Sequence, residues 1–220
     1  MNTDEPLPTR ASLLNRLKDA GDHTSWEEFH RTYRGLLLGT ARRAGLNEHE
    51  GEEAVQDTLI AVAKKMPEFR YEAGKDSFKG WLLRIVRWKI SDQFRKRRTN
   101  AALESFSENT FGTTTYDPQS RGGQISVEET MAGVPDPTQN LDAIWDTEWE
   151  RHLLALALAR VKRQVNPQHY AIYHLHVLEE RPLAEVKHAL GVGMARVHLA
   201  KHRVGAFVAR ELRRLAKEEW

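Results

Sequence analysis

Arg84, Arg87, Trp88, Ser91 and Arg95 are spaced so that one face of a helix would carry all five. Cations alone on such a face would simply be solvated. A large indole among them leaves apolar area exposed and calls for a partner. Nucleic acid is the obvious one, with bases stacked on the indole and phosphates held by the cations. The competing reading packs Trp88 against a neighbouring helix as core, the usual fate of tryptophan. Lys96, Arg97 and Arg98 extend the cationic run at the end of RWKISDQFRKRR, residues 87–98.

A second set lies in RPLAEVKHALGVGMARVHLAKHRV, residues 181–204, which reads as a helix, a tight turn at Gly191, Val192 and Gly193, and another helix. In the second helix Val197, Ala200, Val204 and Phe207 can face inward. Ala195, His198, Lys201 and His202 then face outward, with Arg196 at the edge. Such a helix fits the DNA major groove, where its first half reaches base edges and its cations hold phosphates. An ordinary helical hairpin with a basic solvent face is the plain alternative. His198 and His202 also have metal-ligand spacing, but with no third ligand and no Cys beside them no metal site is expected.

The sequence offers no P-loop, no nucleophile elbow, no HExxH and no paired carboxylates in a plausible pocket, so neither enzymatic chemistry nor a cofactor is expected. With no Cys there is no thiol nucleophile and no disulfide framework, which suits a reducing compartment. No apolar run approaches the roughly 18 residues of a membrane span. These features lead to the expectation of a soluble cytoplasmic protein without membrane contact.

Helices must position both sets. Ser25 with Glu28 forms an expected capping box opening a helix whose Trp26, Phe29, Tyr33, Leu36 and Leu37 face a core. Gly45 ends it and Glu50 starts the next, in which Val55, Thr58, Leu59, Val62 and Met66 share the inner face. Glu53, Gln56, Asp57, Ile60 and Lys64 share the outer one. After Pro67 and a polar loop, a long helix runs from Phe78 to Arg98 with Phe78, Leu82, Ile85 and Val86 inward. From residue 99 to about 140 polar and acidic residues dominate, and Pro118, Pro135 and Pro137 interrupt them, as in a linker. Helical periodicity returns near Leu141 with Ile144, Trp145, Trp149, Leu153, Leu156 and Leu158.

No stretch alternates with strand period, so the expected fold is all-α: two small helical domains joined by a flexible acidic linker. Charge follows that division. Residues 1–98 hold 19 Lys+Arg against 15 Asp+Glu (+4), residues 99–150 hold 1 against 10 (−9), and residues 151–220 hold 13 against 6 (+7). Two basic blocks flanking an acidic strap suggest polyanion contact at both ends.

Together these pieces resemble a bacterial RNA polymerase sigma factor of the small extracytoplasmic-function (ECF) type, in the sigma-70 family. The resemblance rests on SWEEFHRTYRGLL, on the blocks VQDT and FKGWLLRI in that order, and on the helix-turn-helix that follows a linker. It implies region 2 at residues 1–98, an acidic linker at 99–140 and region 4 at 141–220. It further implies that Gln56 and Asp57, with Glu53 and Ile60 on the same face, dock on the β′ clamp helices of core RNA polymerase. The loop 69–77 and the helix carrying Lys79, Arg84, Arg87, Trp88, Ser91, Arg95, Lys96, Arg97 and Arg98 would open the minus-ten promoter element. Arg196, His198, Lys201, His202 and Arg203 would read the minus-thirty-five element, with region 4 on the β flap. The linker would follow the polymerase's RNA path, and an anti-sigma factor is a further implied partner. Gly193 departs from the Ser with which many relatives cap the recognition helix. Two other functions fit the residues: a free two-domain helix-turn-helix regulator binding duplex DNA without polymerase, and an all-α protein-interaction module.

Overall fold

The computed structural model describes residues 10–70, 77–110 and 140–217, and among them every regular element is helical. In chain order these are α1 (Arg10–Arg16), α2 (His23–Arg43), α3 (Glu48–Lys65), α4 (Phe78–Thr110), α5 (Leu141–Gln164), α6 (Pro167–Tyr173), α7 (Leu183–Leu190) and α8 (Met194–Lys217). Part of the loop expected at 69–77 and most of the acidic linker lie outside the described residues.

The helix ends show which competing polar side chain won each cap. Asp22, not Ser25, caps α2: its carboxylate accepts the Ser25 backbone N–H at 3.0 Å and the Ser25 hydroxyl at 2.6 Å. Ser25 is already buried inside the first turn, where Arg16 donates to it. Likewise Glu50 does not start α3. Asn47 caps it, and Glu50 is the reciprocal partner of a complete capping box. At its other end α4 continues to Thr110, past the boundary expected at Arg98. The segment TNAALESFSENT contains neither Gly nor Pro, and its Ala, Leu and Glu favour continuation.

The main core lies between α2, α3, α4 and the first half of α5. Phe29, Tyr33, Leu37, Val55, Val62, Met66, Phe78, Leu82 and Ile90 fill it. So do Leu141, Trp145 and Trp149, which are 0%, 0% and 1% exposed. The beginning of the second block is thus built into the first block's core. Gly39 permits this approach, because a Cβ there would stand 2.5 Å from the Glu148 carboxylate. That carboxylate is held by Arg43 at 2.6 Å and Arg151 at 2.9 Å.

The second half of α5 belongs to a different core. Val161 packs with Tyr173, Val204 and Val208, and the Arg160–Glu211 pair ties α5 to α8. Between the two anchorages a cleft of about 530 Å³ opens, lined in part by Tyr33, His152, Ala155, Leu156, Ala159 and Arg160. A third small core of Ile172, Val186, Val192, Val197 and Ala200 joins α6, α7 and α8. A π-helical stretch (His174–Leu178) follows α6. The α7–α8 turn depends on Gly191, whose φ of +62° is a left-handed conformation that a side chain would strain.

Candidate protein-docking and nucleic-acid surfaces

The two faces of α3 separate as its periodicity requires. Val55, Thr58 and Val62 are buried while Gln56 and Ile60 are exposed, Ile60 by 53%. Glu53 is half-buried, 3.8 Å from His49 one turn earlier. Asp57 is also half-buried and leans toward α4, where Lys89 Nζ lies 3.7 Å from its carboxylate. An exposed isoleucine between polar neighbours can supply the apolar centre of a small protein contact.

On α4 the competing readings of Trp88 separate clearly. Phe78, Leu82, Ile85, Val86 and Ile90 form its buried stripe, whereas Trp88 is 58% exposed. Lys89 Nζ sits 4.5 Å from the Trp88 ring centroid. The indole forms one wall of a cleft of about 230 Å³, with Ala61, Lys65, Trp81, Arg84 and Ile85 as the others. Two indoles and two cations around an open cleft can take a flat aromatic group attached to an anion. Arg84 is exposed on the same side and Ser91 half-buried a turn farther on.

The remaining α4 cations are engaged more than the sequence suggests. Lys79 pairs with Asp146 at 2.8 Å and Arg87 with Asp142, both acids from the first turns of α5. Arg95 and Lys96 approach Asp92 at 3.5 and 3.9 Å and are exposed, as is Arg98. Arg97 turns back to α3: its Nε donates to Glu50 at 2.7 Å, and its terminal nitrogen reaches the same carboxylate and the Gly45 carbonyl. This pairing holds the Glu50 carboxyl below its ordinary value and pushes the Arg97 guanidinium up, through their mutual hydrogen bonds. Arg97 is therefore a clamp between α4 and α3. It was expected among the phosphate-gripping cations.

In the helix-turn-helix, Val197, Ala200 and Val204 are fully buried as expected, with Val208 beyond them. His198, Lys201, His202 and Arg203 are exposed on α8. Arg196 is exposed too, but its guanidinium reaches back to Gln168 of α6 at 3.4 Å. No group of three or more metal-ligating side chains occurs among the described residues. Three features went unnoticed in the sequence: the α5 acids on Lys79 and Arg87, the Trp81 wall of the cleft, and the exposed Met194 and Leu199 on α8. Helical spacing from Ala195 would have exposed Leu199. Nothing local announces the other two.

Among the described residues, all regular structure is helical, and an exposed ridge on α3 lies beside an aromatic and cationic face of α4. Residues 29–99 match the family model for Sigma-70 region 2. A stretch of 111 residues is 29% identical to the ECF RNA polymerase sigma factor SigE of Mycolicibacterium smegmatis (strain ATCC 700084 / mc(2)155), covering 50% of this chain and 41% of that relative. The match thus spans about two fifths of that relative's length. Residues 29–99 thus resemble a sigma-70 region 2, and half of the chain is similar to an ECF sigma factor. Among the described residues no helix is long and apolar enough to cross a membrane.

Proposed function

We propose that this chain directs promoter-specific initiation by core RNA polymerase, docking through α3 and opening DNA along α4 in the cytoplasm. The observation that carries the reading is Trp88, exposed by 58% at the mouth of a cleft that also presents Lys65, Trp81 and Arg84. An unpaired base can enter there edge-first, stack on indole and leave its phosphate to the cations. Gln56 and Ile60, with Glu53 and Asp57 beside them, form the contact to the β′ clamp helices. The pair α7–α8 serves as region 4, reading the upstream element and resting on the β flap. In this reading region 2 is residues 1–98, the linker 99–140 and region 4 residues 141–220; α4 runs on to Thr110, and the first turns of α5 pack in the core formed by α2, α3 and α4.

The test is reconstitution with core polymerase and run-off transcription. Trp88→Ala should assemble normally but open promoters at least about fivefold less well, consistent with about 1–3 kcal/mol for one stacked base, and a pre-melted template should restore activity. Asp57→Ala and Ile60→Ala should fold yet compete poorly for core polymerase. If the chain binds duplex DNA tightly and specifically without polymerase, a free regulator is the better description.

A further inference from the structure

The outward line of α8 is not where the arginines are. Successive helical residues turn by about 100°, so Ala195, Leu199, His202 and Ala206 lie opposite the buried Val197, Ala200, Val204 and Val208. Leu199 stands in the middle of that line, 54% exposed, and Met194 at the start of the helix is 52% exposed. Arg196 lies at the edge and is drawn toward Gln168. His198 and Arg203 flank the line on either side, with Lys201 further round toward the buried face. Residues 194–210 contain no Asp or Glu, so the face suits a polyanion.

We infer that Leu199 reads promoter sequence by packing on the 5-methyl group of a thymine in the upstream element, and that Arg196 holds the DNA backbone. This inference rests on the proposed region 4 role. Of the four bases only thymine presents a methyl group in the major groove, and an apolar side chain distinguishes it from cytosine without a hydrogen bond. A leucine at the centre of an outward face, with cations kept to the margins, is the arrangement such a contact needs. A guanidinium held at the edge is better placed for a phosphate, which carries no sequence information.

The experiment uses holoenzyme made from the full chain and core polymerase, on a promoter that the wild-type holoenzyme transcribes. Each thymine of the upstream element is replaced in turn by deoxyuridine, which lacks only the methyl group. At one position the replacement should weaken promoter binding by about fourfold, the value of burying one methyl-sized group. Leu199→Ala should weaken binding to the thymine template by a similar factor or somewhat more and be indifferent to the replacement, so that the two losses do not add. Arg196→Ala should lower binding on every template and flatten the salt dependence by about one charge. Losses that multiply, or a wild-type holoenzyme blind to every replacement, would overturn the assignment. Weakened assembly of Leu199→Ala with core polymerase would overturn it as well, by marking a protein contact. If the wild-type chain gives no promoter-specific run-off, the proposed function itself fails, and that control precedes the uracil series.

Discussion

The two ends of the molecule are built with different materials. Phe29, Tyr33, Phe78, Trp145 and Trp149 meet in one core around α2, with ring centroids 4.5 to 6.5 Å apart along the chain of contacts. The cores around α8 rely on valine, alanine and Ile172, with Tyr173 at 9% exposure their one buried ring among the described residues. Each large aromatic side chain removes roughly 150–250 Å² from water, several times what alanine can. The first block therefore has the apolar area to hold its shape firmly. The second depends on α5, which is anchored in the stronger core.

The difference predicts a hierarchy of damage. Trp145→Ala should cost about 3–5 kcal/mol in urea unfolding and loosen both ends. Val197→Ala should cost about 2 kcal/mol and act locally, raising amide exchange in α7 and α8 while α2 stays protected. Equal exchange throughout would show that the two cores are one cooperative unit and remove the contrast.

A smaller effect concerns the charges that join the ends. Asp142→Asn with Asp146→Asn should release Arg87 and Lys79, so the free chain should bind single-stranded DNA more tightly with a steeper salt dependence. A fluorescence titration at two salt concentrations would reveal an unchanged slope if those cations were already available. The smallest effect belongs to Glu50 and Arg97, wholly within the first block. Because Arg97 holds the Glu50 carboxyl below its ordinary 4.5, the pair stabilises the fold above that pH. Its contribution is lost as pH falls through the depressed value. Glu50→Gln should cost at most about 1 kcal/mol at pH 7, since Arg97 is 43% exposed, and nothing once the carboxyl is protonated. Thermal melts across that range would show it.

What could be read from the sequence divides along the same line. The α3 and α4 faces follow from period alone, and their buried residues, Val55, Val62, Leu82 and Ile85 among them, are those the spacing selects. Caps were harder because Asp22 and Ser25, or Asn47 and Glu50, are both polar and three apart, and only the backbone shows which one leaves the helix. The place of α5 was not legible. Arg87 and Asp142 are separated by 55 residues, and nothing in either neighbourhood names the other. Net charge hid this pairing too: the acids of residues 99–150 looked like one strap, whereas Asp142 and Asp146 serve as counter-ions to α4.

Helix α5 has 24 residues, so it is a strut about 36 Å long. Trp145 pins it at one end and Val161 at the other, and between them Ala155 lines the cleft. A beam anchored in two cores transmits torque between them. Turning it by one residue swings each of its faces through about 100°, so neither end can re-seat alone while the helix stays whole.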